Sequence, residues 1–148
     1  MNKQTHSPYA QAMKLMKSSS PDEKKGAQLL EKAAALNDPR AYYALGTWYL
    51  HGHYYKRDFE KAVNLLKKAA KANIAEAAFD LAVCYEKSAG VSYSPAKAYE
   101  LYLKAALLGD AQSFYEIGRL HYYGIGTPKD KDMAEIWLAH AEKLGIVE

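Results

Sequence analysis

The chain has 148 residues, of which 49% are apolar and 25% are charged. This length and composition are typical of a globular domain with a buried core, and they exclude a disulfide-dependent miniprotein and a wholly disordered chain. Twenty basic and 17 acidic side chains leave a net charge of +3, which is too small to predict nucleic acid as a partner. Thirteen tyrosines are the unusual feature of the composition.

A single cysteine, Cys84, excludes an intramolecular disulfide and a metal site built from several thiolates. Residues 1–20 contain no apolar run long enough for a signal peptide or a membrane helix. We therefore expect a cytoplasmic protein that does not interact with membranes.

Five sets of similar residues recur at a spacing of 36 residues, which indicates internal repeats. The sets are a cation or histidine followed by alanine, a branched residue followed by a small one, a single alanine, an aromatic ring, and a final asparagine or glycine. They stand at Lys32-Ala33, Lys68-Ala69, Lys104-Ala105 and His140-Ala141; at Leu45-Gly46, Leu81-Ala82 and Ile117-Gly118; at Ala62, Ala98 and Ala134; at Tyr49, Tyr85 and His121; and at Asn37, Asn73, Gly109 and Gly145.

Each unit is predicted to contain two helices. In one unit Ala62, Leu65, Leu66, Ala69 and Ala70 lie on a single helical face, and no stretch shows the sustained alternation of a strand. Gly46, Ala82 and Gly118 are small enough to let a neighbouring helix approach closely. In chain order, the predicted helices span residues 8–17, 21–36, 39–51, 58–72, 75–88, 94–108, 111–123 and 130–144.

Residues that cap helices mark the predicted starts and ends. Asp58, Ser94 and Asp130 can accept hydrogen bonds from first-turn amides, and Ser20 begins a capping-box pattern with Pro21 at the first helical position. At the ends, a positive φ is expected at the asparagine and glycine positions that recur every 36 residues, namely Asn37, Asn73, Gly109 and Gly145.

The third unit carries the motifs of a known repeat family. Its residues 113–130 contain Ile117-Gly118, Tyr122, the Gly124-Ile125-Gly126 loop and Asp130, and Ala134 follows. This pattern resembles the Sel1-like repeat, a relative of the tetratricopeptide repeat, over about residues 41–145. The resemblance implies an all-α fold of about eight helices, in which αα-hairpin repeats of 36 residues stack into a right-handed superhelix.

Two loops depart from that pattern. Tyr54 replaces the second loop glycine in the first full unit, and Ser88 replaces the first one in the next unit, so we expect these loops to differ locally. We expect one repeat domain over residues 1–148, with a divergent helix pair at 1–40 that acts as a cap and repeats at 41–76, 77–112 and 113–148.

The resemblance also implies that the first helices line a concave groove and the second helices form a convex back. An aromatic ring recurs in the first helices at Tyr43, Phe79 and Tyr115, as an interface needs, although the same rings would equally suit contact with the preceding repeat. The partner-binding residues predicted in this way are Tyr43, Thr47, Leu50, His51, Phe79, Val83, Glu86, Lys87, Tyr115, Arg119, Tyr122 and Tyr123.

Chemistry-bearing residues are few. Cys84 stands where Trp48 and Leu120 stand in the neighbouring units, which indicates a core position, and the His51/His53 pair has no third metal ligand at a suitable spacing. Residues 1–75 hold a net charge of +7 and residues 76–148 one of −4. The basic stretch around Lys61 has no interleaved aromatic residues, so we do not expect nucleic acid as a partner.

The sequence therefore favours a non-catalytic module, without a cofactor, that binds another protein or peptide in its groove as an adaptor or regulator. Two alternatives stay open. One is a bacterial immunity protein that covers a toxin. The other is a metal-assisted hydrolase that uses His51, His53 and His121.

Overall fold

The computed structural model describes residues 6–146, and these residues form eight α-helices and no strand. The all-α prediction is thereby confirmed, and each predicted helix end lies within two residues of the observed one. The helices are α1 (Pro8–Met16), α2 (Glu23–Ala35), α3 (Pro39–His51), α4 (Phe59–Lys71), α5 (Ala75–Lys87), α6 (Pro95–Leu107), α7 (Ala111–Tyr123) and α8 (Lys131–Lys143).

Side-chain caps define where the helices begin. Asp58, Ser94 and Asp130 each accept a hydrogen bond from the amide three residues later, as predicted. The capping box predicted at Ser20 is wrong. The cap of α2 is Asp22, two residues later than expected, and its carboxylate accepts a hydrogen bond from the Lys25 amide at 3.0 Å. A negatively charged acceptor is favourable beside the first-turn amides of a helix.

The helix ends and the loops share one backbone pattern. A positive φ occurs at Asn37, Asn73, Gly109 and Gly145, as predicted. The loops expected to differ do not differ in this respect: φ is 62° at Tyr54 and 55° at Ser88, close to the 70° at Gly126 and the 71° at Gly124. Two residues with a side chain thus adopt a conformation that costs them more than it costs glycine.

Contacts divide the chain into two compact units, Met1–Ala72 and Asn73–Glu148. In the first unit α2 packs on α1 and α3, and α3 packs on α4. Its core includes Ala12, Leu30, Ala33, Ala41 and Leu45, each at most 1% exposed. The domain limits expected at residues 40, 76 and 112 stay a prediction.

In the second unit α5 packs on α6, α6 on α7, and α7 on α8. Tyr102, Ile117 and Leu120 are among its fully buried side chains. Within residues 6–146, none of the helices combines the length and the apolar character that a membrane crossing requires.

Two glycines set how closely paired helices approach, as their small size predicted. A Cβ atom added at Gly46 in α3 would lie 3.1 Å from Leu66 Cδ2 in α4. At Gly118 in α7 it would lie 2.7 Å from Leu138 Cγ in α8, a distance that real Cβ atoms do not show. Leu66 and Leu138 therefore occupy space that any other residue at these positions would fill.

Ser88→Gly is expected to raise the free energy of unfolding by about 0.5–1 kcal/mol, because glycine removes the left-handed strain but adds freedom to the unfolded chain. The measurement is urea unfolding followed by circular dichroism.

The matched control is Gly52→Ser, at the same loop position one repeat earlier. An added Cβ there makes only ordinary contacts, 3.5 Å from Arg57 Cβ, so its cost of about 1 kcal/mol would come from φ alone. A lower stability of Ser88→Gly would show that the serine is favoured at this position.

Candidate functional site

The predicted partner-binding residues of the first unit lie along α3. Tyr43, Thr47 and Leu50 are partly buried, and His51 is exposed at the end of the helix. The Thr47 hydroxyl donates to the Ala44 carbonyl oxygen at 2.8 Å, so this hydroxyl is engaged within its own helix.

In the second unit, four of the predicted residues gather around one cavity of about 320 Å³. A fifth residue, which the sequence did not single out, completes the wall from α8. The cavity is lined by Tyr115, Arg119, Tyr122, Tyr123 and Leu138. Because Gly118 has no side chain, Leu138 of α8 can pack closely against α7 at this point. The close approach of α7 and α8 therefore positions Leu138 as one wall of this cavity.

The Arg119 guanidinium is held by two carboxylates. Its Nε donates to Glu116 Oε2 at 2.8 Å, and a terminal nitrogen donates to Glu86 Oε1 at 2.7 Å. The arginine is 27% exposed, and the two glutamates are 18% and 17% exposed. Burial would lower the pKa of Arg119, but these hydrogen bonds raise it above its usual range, so the cation is permanent.

Tyr102 of α6 joins Arg119, Glu86 and Glu116 in one ion-pair cluster. Burial, followed by the charges of Glu86 and Glu116, raises the pKa of Tyr102 above its usual range, so its hydroxyl stays protonated and donates to Glu86. The Phe79 ring meets the Tyr102 ring edge-on, with centroids 5.4 Å apart. Phe79 therefore packs on the second helix of its own hairpin, rather than standing free on α5.

The remaining predicted residues differ in exposure. Val83 is partly buried and Lys87 is exposed. Tyr122 and Tyr123 are 39% and 65% exposed, and their rings meet edge-on with centroids 4.9 Å apart. The cavity thus offers two accessible tyrosines beside an arginine that is bound by two carboxylates, so the rings are free to contact an aromatic or other apolar side chain.

The three histidines of the hydrolase alternative have different surroundings. His121 is 8% exposed, its Nε2 lies 2.9 Å from the Tyr99 hydroxyl, and its ring meets the Tyr99 ring edge-on, so it fills the place of a packing tyrosine. His51 and His53 are exposed, and His53 lies 3.5 Å from Glu23. Among residues 6–146, no group of three or more His, Cys, Asp or Glu side chains is placed to hold a metal ion.

Sequence reasoning missed three residues of this cluster, namely Tyr102, Glu116 and Leu138. A signal for one of them was present, because Glu116 and Arg119 are three apart on one helix and therefore neighbours on its surface. The pairing of Arg119 with Glu86 depends on how α5 and α7 are placed, which the repeat spacing does not specify.

Arg119→Leu is expected to lower the free energy of unfolding by about 2–3 kcal/mol, because it leaves two partly buried carboxylates without their cation. The control is Arg40→Leu in the first unit. Arg40 also lies 2.7 Å from a carboxylate, that of Asp38, but it is 48% exposed, so the expected loss is at most about 1 kcal/mol. Equal losses in urea unfolding would contradict the role given to burial.

Cys84 is expected to resist alkylation in the folded protein. The thiol is 2% exposed, and burial raises its pKa to about 11, so only about one molecule in a thousand carries the thiolate at pH 8. Unfolding in urea returns the pKa to its ordinary range and should accelerate the reaction with iodoacetamide about 100-fold or more. Equal rates in the folded and unfolded protein would show that the thiol is accessible.

Comparison with known proteins identifies the repeat. A sequence model of the Sel1 repeat matches this chain over residues 15–38, 39–74, 75–110 and 112–146. No curated protein gives a match to the sequence.

Three solved structures are similar to this fold. A protective antigen of uropathogenic Escherichia coli with an SLR fold has a TM-score of 0.90 and 25% identity over 94% of this chain and 30% of its own. A Sel1 repeat protein from Oxalobacter formigenes has a TM-score of 0.84 and 34% identity over 94% of this chain and 41% of its own. Cysteine-rich protein B of Helicobacter pylori has a TM-score of 0.64 and 26% identity over 88% of this chain and 94% of its own.

This chain therefore spans less than half the length of the first two structures. Sel1 repeat proteins are generally non-catalytic scaffolds for protein interactions. Because the family model matches most of the sequence, from residue 15 to residue 146, and similar solved structures share its helical-repeat fold, the chain belongs to the Sel1 repeat family.

Proposed function

We propose that this chain is a non-catalytic interaction module whose partner, a protein or a peptide, docks on α7 at the cavity of the second unit. The observation that carries the proposal is the placement of Tyr122 and Tyr123, both accessible, at a cavity of about 320 Å³. Tyrosine buries a large area at a low entropy cost and keeps a polar end, which is why it is enriched at interfaces.

The ion-pair cluster gives this surface a fixed shape. Arg119 lines the cavity and is held at 2.7 and 2.8 Å by carboxylates from two helices, so a partner meets a side chain that is already ordered. Ordering side chains on binding costs about 0.5–1.5 kcal/mol for each one, and this cost is avoided here. The prearranged wall favours a docking surface over a merely solvated helix face.

The other predicted contact residues belong to the proposal as secondary contacts. Those in the first unit are Tyr43, Thr47 and His51, and those in the second are Phe79, Val83, Glu86 and Lys87. Glu86 would act by holding Arg119 in place. We further propose that the module works in the cytoplasm, where a free thiol such as that of Cys84 stays reduced, as an adaptor or regulator without a cofactor.

Replacing both Tyr122 and Tyr123 by alanine is expected to abolish partner capture while the unfolding free energy stays within about 1 kcal/mol of wild type, because both side chains are exposed. The measurement is affinity capture from the native cell with quantitative mass spectrometry, compared between variants.

The matched control is Tyr93→Ala, which removes another tyrosine of the second unit that is 63% exposed but does not line the cavity. Proteins retained by wild type and by Tyr93→Ala but lost from the double variant are the expected partners. A capture profile that the double variant leaves unchanged would contradict the proposed surface.

Stoichiometric zinc in the purified protein would instead favour the hydrolase alternative.

A further inference from the structure

A second cleft, in the first unit, carries positive charge that the interaction proposal does not use. It has a volume of about 360 Å³ and is formed by the last turns of α2 together with α3 and α4. Its polar lining residues are Glu31, Asn37, Tyr42, Tyr49, Lys61 and Lys68.

Two lysines of α4 supply the positive charge of this cleft. Lys61 Nζ lies 4.6 Å from the centroid of the Tyr49 ring, and Lys68 Nζ lies 5.3 Å from that of Tyr42. The hydrogen bond that Lys61 donates to the Tyr49 hydroxyl raises the pKa of Lys61, which therefore stays protonated. Each ammonium group is thus kept near an aromatic ring, at the wall of the cleft.

Two acceptor atoms of the cleft already accept hydrogen bonds. Glu31 Oε1 accepts from the Tyr55 hydroxyl at 2.9 Å, and Asn37 Oδ1 accepts from the Tyr42 hydroxyl at 2.7 Å. Carbonyl groups in the last turn of α2 accept from the amides of residues 36–38. Because Asn37 Oδ1 accepts from Tyr42, the other end of this amide is an NH₂ group, which can only donate.

The repeat itself indicates that the fold does not require the contact of Lys68 with Tyr42. Seventy-two residues later, in the second unit, the positions of Tyr42, Lys61 and Lys68 are held by Phe114, Met133 and His140. The Phe114 and His140 rings lie 4.7 Å apart, so the same contact is made there by two rings. The Lys61–Tyr49 contact recurs one repeat later, where Lys97 lies over the Tyr85 ring at 5.4 Å. The Lys68–Tyr42 contact does not recur one repeat later, because the position of Tyr42 is held by Ala78.

We propose that this cleft is a binding site for the carboxylate groups of an acidic peptide segment, with Lys68 and Lys61 as its cationic contacts. The first unit carries 13 basic and 6 acidic side chains, a net charge of +7 that would attract such a segment. A peptide is favoured over a nucleic acid because the lysines lie over the tyrosine rings on which bases would have to stack. This site lies in the first unit and its test does not depend on the cavity of the second.

The experiment measures binding of a fluorescein-labelled hexaglutamate peptide to the full chain by anisotropy at low ionic strength, with a hexaglutamine peptide as the neutral comparison. Lys68→Gln is expected to weaken binding about threefold to fivefold, and the Lys61→Gln/Lys68→Gln variant about tenfold or more. Glu31→Gln is expected to tighten binding, because it removes the one negative charge of the cleft.

The control variant is Lys71→Gln, which removes the same charge from α4 outside the cleft and is expected to change the affinity less than about twofold. An equal loss in Lys71→Gln and Lys68→Gln would overturn the proposal, since binding would then follow net charge alone. Absence of peptide binding, equally tight binding of free succinate, or tighter binding of inorganic phosphate or a single-stranded oligonucleotide would overturn it as well.

Discussion

The close approach of two helices within a hairpin is the constraint on which this structure depends. At Gly46 and Gly118 the first helix has no side chain, and Leu66 and Leu138 of the second helix fill the space. Because interiors are packed to the density of organic crystals, even one added methyl group at Gly118 would have to displace Leu138. Leu138 is also a wall of the tyrosine-lined cavity, so one contact serves both the fold and the proposed docking surface of the second unit.

The helices and their ends could be predicted from the sequence because they depend on local chemistry. Caps such as Asp58 and left-handed residues such as Asn73 act on their own turn, and the spacing of 36 residues repeats that signal along the chain. The start of α2 was misplaced because Ser20 and Asp22 both suit a cap, and the choice between them depends on which side chain reaches a first-turn amide. Ser88 and Tyr54 show that the backbone of the loops persists where glycine does not.

The chemistry of the candidate site was predicted less completely, since it depends on pairs of residues that are distant in sequence. Arg119 was expected at an interface, but its bonds to Glu86 and Glu116 require α5 and α7 side by side. His121 stands in the repeat column of Tyr49 and Tyr85, and it is buried there against the Tyr99 ring. The contact of Lys68 with Tyr42 was not predicted, since the repeat spacing does not specify which side chains of α3 and α4 meet.

The most direct test asks whether partner docking depends on the contact between α7 and α8 at Gly118. The measurement is the affinity of the Gly118→Ala variant for a partner recovered by capture, determined by calorimetry. The variant must first show a native circular dichroism spectrum. An added Cβ would lie 2.7 Å from Leu138 Cγ, so Leu138 must move and the cavity must change shape. The account predicts weaker binding than wild type. Wild-type affinity in this variant would contradict it, because the partner would then not depend on the cavity that this contact builds.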